Sequence, residues 1–170
     1  AGWHVQGVDG TPEASGGDTS LAGDASGRPH VSYIGRGYDD YDVEYATNPG
    51  SGWVQETVDA NVDGYGGHTS LALDGAGRPR VSYYDAHWGD VNYADRDSGD
   101  WEVETVDPAV SDGYTSLAVD AGGAAHILYF HTGSYLLEHA VQAGGEWQVE
   151  TVDTGRAVGE GSSLKLDGQQ

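Results

Sequence analysis

Apolar and small polar residues alternate along this chain in short runs, and each run ends in a turn signal. Thr69-Ser70-Leu71-Ala72-Leu73-Asp74 is typical, with near copies at Thr19–Asp24, Thr115–Asp120 and Ser162–Asp167. A period of two residues is that of a strand with one packed face. Asp-x-x-Gly turns follow at Asp24–Gly27, Asp74–Gly77 and Asp120–Gly123. There Asp bonds backbone two residues on, and Gly supplies a positive φ. A second strand type, β-branched and aromatic, comes next as Val31-Ser32-Tyr33, Val81-Ser82-Tyr83 and Ile127-Leu128-Tyr129. The third is Val43–Ala46, Val91–Ala94 and Leu137–Ala140. The fourth carries Glu at alternate positions, which suits a half-exposed outer edge guarded by charge. No 3.6-residue apolar period is sustained, so no helix is expected.

These four strands, A to D in chain order, recur as a unit. Trp53-Val54-Gln55-Glu56-Thr57-Val58-Asp59 returns at Trp101–Asp107 and Trp147–Asp153, and loosely at Trp3–Asp9. Repetition at this length, built of short strands, predicts an all-β propeller of four-stranded antiparallel blades. The expected organisation is one domain over residues 1–170. An isolated strand D at 2–9 opens it, blades cover about 18–59, 68–107 and 114–153, and an isolated strand A at 162–167 closes it. Three blades leave open edges, and open edges pair with something. The expected partner is a second copy, giving a homodimer or another ring-closing oligomer. The alternative is a fragment of a longer chain. The absence of Met, position 1 included, points to a processed product or an excised segment.

Charge narrows the partners. With 28 Asp and Glu against 7 Lys and Arg, the net charge is −21. Such a chain repels phosphate backbones and anionic membrane surfaces, so nucleic-acid binding and membrane insertion are not expected. The balance suits an extracellular protein, secreted or at the cell surface, in which acidity adds solubility. The chain has no Cys, which removes disulfide and thiolate chemistry.

The repeats resemble a bacterial and archaeal secreted β-propeller repeat family. Its units read Ser-Leu-Ala-Leu-Asp-x-x-Gly-x-Pro-x-Val-Ser-Tyr-Tyr-Asp, then Tyr-Ala, then Gly-x-Trp-x-x-Glu-Thr-Val-Asp. Ser70 to Asp85, Tyr93-Ala94 and Asp100 to Asp107 match it closely. The third repeat departs, with Ala124-Ala125 for Arg-Pro and His139 for Tyr. The resemblance implies a propeller and is nearly silent on activity. The Asp-box of sialidases and the Trp-Asp dipeptide of WD40 blades are absent.

Strand order divides the loops between two faces. A–B and C–D turns share one face and carry ordinary turn residues. D–A and B–C loops share the other and carry unusual ones: Tyr38, Asp39, Asp42, Tyr65, His68, His87, Trp88, Tyr114, His131 and Tyr135. Trp88 is the one Trp outside the repeated strand-D position, so blade architecture does not require it. Aromatic platforms flanked by carboxylates suit sugar rings: C–H faces stack on the π surface while the carboxylates accept hydroxyl protons. Packing between blades or subunits is the competing role for these aromatics. Trp53, Trp101, Trp147, Tyr33, Tyr83 and Tyr129 are expected to pack the blades.

Three functional classes follow. The first is a carbohydrate-binding, lectin-like module without catalysis, binding through this loop face. The second is a structural or protein-interaction scaffold. The third is a glycan-cleaving enzyme using paired carboxylates such as Asp85 with Asp90 or Asp42 with Asp63. No nucleophile signature supports acyl transfer. No cofactor is implied. Calcium at Asp39-Asp40-Tyr41-Asp42 is a weak possibility without EF-hand spacing, and His68, His87 and His131 sit at unequal repeat offsets for a metal site.

Overall fold

The computed structural model describes residues 4–10, 17–36, 41–60, 62, 68–108, 110, 113–155, 159 and 161–167. They form twelve strands and, among these residues, no helix. β1 (Gly17–Gly23), β2 (Pro29–Arg36), β3 (Tyr41–Thr47) and β4 (Val54–Asp59) make the first sheet. β5 (Thr69–Leu73), β6 (Pro79–Asp85), β7 (Asp90–Asp95) and β8 (Glu102–Asp107) make the second. β9 (Thr115–Val119), β10 (Ala125–His131), β11 (Leu136–Ala143) and β12 (Glu146–Asp153) make the third. Each sheet is an antiparallel meander in which chain neighbours pair.

Local chemistry sets the turns. The Asp74 carboxylate accepts the N–H groups of Ala76 and Arg78 at 2.9 Å each, and Gly77 takes φ +79°. Asp24 with Gly27 and Asp120 with Gly123 repeat the device. Each outer strand carries a bulge at its Thr-Val-Asp segment. Val43 faces Asp59 but Glu44 faces Thr57, leaving Val58 as the extra residue. The same shift recurs before Asp107 and Asp153.

The core lies between sheets. One apolar cluster joins Ile34, Val43 and Tyr45 of the first sheet to Leu71, Val81 and Tyr83 of the second. Another joins Tyr84, Val91 and Tyr93 to Leu117, Ile127 and Tyr129 of the third. Polar contacts repeat across the same junctions. The Tyr83 hydroxyl donates to Asp59, and that of Tyr129 to Asp107 at 2.7 Å. Ser32 and Thr69 share a hydrogen bond of 2.8 Å, as Ser82 and Thr115 do at 3.0 Å. The Leu71 N–H donates to Ser20 Oγ and the Leu117 N–H to Ser70 Oγ, both at 3.0 Å, which sets the A strands side by side as the innermost row. Trp101 packs edge-on against Tyr45 at 5.4 Å and Trp147 against Tyr93 at 5.2 Å. Their indole N–H groups donate to Glu56 and Glu104. These two tryptophans are blade-packing residues.

Isolated strands were expected at 2–9 and 162–167; the described residues of these segments, 4–9 and 162–167, are not strands here. A strand needs a laterally paired neighbour, and among the described residues neither segment has one. Both still occupy the junction positions of a blade. Tyr33 donates to Asp9 at 3.0 Å, and the Leu164 N–H donates to Ser116 Oγ at 2.9 Å. One bond of the set is missing. Leu128 stands where Ser32 and Ser82 stand in the other sheets, and the buried Ser162 hydroxyl has no partner.

Candidate functional site

The inner strands begin on the D–A/B–C loop face at Asp18, His68 and Tyr114. These three occupy one and the same offset, immediately before Thr19, Thr69 and Thr115. The structure lines them up. His68 Nδ1 lies 3.2 Å from Asp18 Oδ2, and the imidazole stacks on the Tyr114 ring with centroids 3.6 Å apart. Asp18 takes φ +33°, which a non-glycine residue rarely adopts. An acid, an imidazole and a phenol thus run from blade to blade along the ends of the inner strands.

The B–C turns form a second group. Between β6 and β7, the Asp85 carboxylate accepts the His87 N–H at 2.9 Å and caps the turn. Burial pushes the Asp85 carboxyl above its ordinary range. His87 packs edge-on against Trp88 at 4.6 Å, and Trp88 is 72% exposed. In the third sheet, His131 Nδ1 accepts the Ser134 N–H at 3.4 Å. Tyr135 is 53% exposed and sits at φ +58°. The matching position of the second sheet is Gly89, at φ +75°. A tyrosine held in the left-handed region on a loop is strained, and such strain collects at functional positions.

The described residues among those predicted therefore fall mainly into three groups. His68 meets Tyr114, while His87 and Trp88 share one turn and His131 and Tyr135 another. The three histidines do not converge, and no group of three or more His, Asp or Glu placed to hold a metal ion occurs among the described residues. Asp42 lies on β3 opposite Gly35. Tyr38, Asp39 and Tyr65 lie outside the described residues, as do Asp40 and Asp63. Asp85 and Asp90 face each other across the hairpin, but the carboxylate of Asp85 already serves its turn.

Sequence reasoning passed over the opposite face. A cleft of about 550 Å³ lies there between the A–B turns of the first and second sheets, lined by Asp24, Arg28 and His30 among others. The usable signal was one repeat offset, which holds His30 and Arg80 between the same neighbours (Arg-Pro before, Val-Ser after) and His126 between Ala125 and Ile127.

No protein-family model and no curated protein matches the chain. Among solved structures, the fold is similar to a fucose lectin from Kordia zhangzhouensis, determined in complex with methyl-fucoside. The TM-score is 0.56 at 14% identity, over 78% of this chain and 96% of that chain. At this identity the likeness shows the fold: an all-β, propeller-like array of four-stranded antiparallel sheets.

Proposed function

We propose that this chain is a lectin-like, carbohydrate-binding propeller module, extracellular and non-catalytic, which engages glycans through its D–A/B–C loop face. The observation that carries this reading is Trp88, an indole 72% exposed whose described ring contact is the edge-on one with His87 of the same turn. An exposed aromatic face beside an imidazole and carboxylates offers stacking for sugar C–H groups and acceptors for sugar hydroxyls. Tyr135 offers a second platform on the next blade. The fucose lectin of similar fold supports the reading as a propeller-like protein that takes a glycoside.

The reading includes assembly with a second copy. Leu21 is 71% exposed, whereas Leu71, its counterpart inside a junction, is 6% exposed. At the other edge Val152 is 55% exposed, against 6% for Val58. Both edges thus show the apolar residues that neighbouring blades cover elsewhere, and copies joined edge to edge would multiply the glycan sites and raise avidity. Native mass spectrometry reads the assembly: a discrete oligomer supports it, and a monomer at micromolar concentration removes it.

Retention on immobilised glycans tests the binding itself. Trp88→Ala should weaken retention about tenfold, the loss of roughly 1.4 kcal/mol of stacking and burial, with an unchanged circular dichroism spectrum. Wild-type protein that no glycan retains would sink the proposal.

A further inference from the structure

Residues 4–9 and 162–167 each hold half of a blade junction. Inside the array, a sheet bonds the one before it twice. Its A-strand Leu N–H donates to the preceding Ser Oγ, and its B-strand Tyr donates to the preceding Asp. Leu71 with Ser20 and Tyr83 with Asp59 join the first sheet to the second. Leu117 with Ser70 and Tyr129 with Asp107 join the second to the third. At the two outer edges this pair of bonds is split. Ser116 Oγ accepts the Leu164 N–H at 2.9 Å, but Asp153 meets no tyrosine among the described residues. Asp9 accepts the Tyr33 hydroxyl at 3.0 Å, but no A strand precedes Leu21 among the described residues.

The two segments cover little. Val5 is 90% exposed and Leu166 39%, and Leu21 and Val152 stay open on the edges beside them. Those edges complement each other in the register of the internal junctions. Leu21 is the next donor in its series and Ser116 the next acceptor; Tyr33 and Asp153 match in the same way. Trp101 and Trp147 lean on Tyr45 and Tyr93 of the preceding sheet and donate to Glu56 and Glu104. The next terms are Trp53 on one edge and His139 with Glu150 on the other, and the Glu150 side chain is 74% exposed. One term fails: Leu128 stands in the place of Ser32 and Ser82, so Thr19 finds no hydroxyl opposite it. Two copies of three sheets each make six, within the usual size of a closed propeller, and head-to-tail contacts that close form a ring.

We infer that residues 4–9 and 162–167 are displaceable caps, and that head-to-tail pairing with a second copy ejects both. Tyr33 then passes from Asp9 to the second copy's Asp153, and Leu21 replaces Leu164 on the second copy's Ser116. The inference rests on the assembly half of the proposed function and names the register and the contact that restrains it. Hydrogen bonds exchange one for one. What pairing adds is apolar cover for Leu21 and Val152. What opposes it is tethering: each cap is joined to the sheet that it covers and competes at high effective concentration.

A disulfide tests this, since the chain has no other Cys. Ser116→Cys with Leu164→Cys staples 162–167 to the third sheet of its own chain. Native mass is measured over a micromolar concentration series, oxidised and after dithiothreitol. The oxidised protein should be a monomer, and reduction should restore the dimer. Leu164→Pro removes the capping N–H outside any strand and should tighten the dimer about threefold or more. Leu21→Lys alters a side chain 71% exposed in the single chain, so Tm should hold while the dimer is lost. A staple that dimerises equally well before and after reduction, or a dimer that Leu164→Pro leaves unchanged, overturns the caps and leaves edge-to-edge assembly standing. Monomers throughout, in wild type, reduced staple and Leu164→Pro alike, overturn both.

Discussion

Replacing Tyr83 with Phe removes one oxygen atom from the junction between the first and second sheets. The ring is fully buried and stays in place, so no cavity opens. What is lost is the hydrogen bond to the Asp59 carboxylate. Burial, followed by that carboxylate, pushes the phenol's pKa far up, so it is a donor at any working pH. A hydrogen bond to a charged group contributes about 1.5–3 kcal/mol. Asp59 is half-buried and water replaces part of the bond, which favours the lower end, about 1.5–2 kcal/mol. For a chain of this length each kcal/mol moves the midpoint by about 2–4 °C, so Tm should fall by about 3–8 °C. Thermal unfolding followed by tryptophan fluorescence reads it. Asp59→Asn should cost less once Tyr83 is Phe than it does alone, because the two changes remove one bond. If Tyr83→Phe leaves Tm in place, or if the two losses add in full, the junction bond does not hold the blades together.

Three further outcomes are expected. Thr69→Val breaks the Ser32 bond and should cost about 1 kcal/mol, whereas Ser162→Ala removes an unpartnered hydroxyl and should be neutral or stabilising; equal losses in urea denaturation would contradict the junction pattern. Tyr135→Gly should relieve about 1 kcal/mol of left-handed strain and weaken glycan retention at the same time, so a gain in Tm without loss of binding would free Tyr135 from the site. Stability should peak in mild acid. The Ser26 hydroxyl and the Arg28 N–H hold Asp24 at about 2, and the Ala124 N–H lowers Asp120. Their contribution is complete above the unfolded value of about 4 and is lost as pH falls towards 2. Burial raises Glu44, Asp85 and Glu138, which favour the folded state as they take up protons on the way down from neutral pH. A urea midpoint that declines steadily from pH 7 downward would refute this ordering.

The blades were legible because one signal was written three times. Alternation located each strand, the Asp-x-x-Gly turns bounded it, and the repeated Trp and Tyr marked residues that the structure buries or packs between blades. The isolated strands expected at 2–9 and 162–167 from the same motif are not strands over their described residues, because a strand also needs a neighbour that no local pattern supplies. The line from Asp18 through His68 to Tyr114 was within reach. The three share one repeat offset, but their chemistry differs so much that the equivalence was hidden. The His30 cleft was not legible. It depends on an imidazole being shorter than the guanidinium of Arg80, and on Thr47 and Pro49 standing where two aspartates stand elsewhere. Those are facts about what surrounds a position, and each residue taken alone is an ordinary turn or strand residue.

The junction bonds also describe how order spreads through the chain. Tyr129 to Asp107 spans 22 residues, Tyr83 to Asp59 spans 24, and Leu71 to Ser20 spans 51. None reaches past the adjacent repeat. Such an array behaves as a one-dimensional lattice in which each unit is stabilised by its nearest neighbours. The second sheet has a described sheet on both sides, and the first and third have one each. Opening from either end therefore leaves the middle sheet closed, and β6 with β7 is the last part of the molecule to lose its protection.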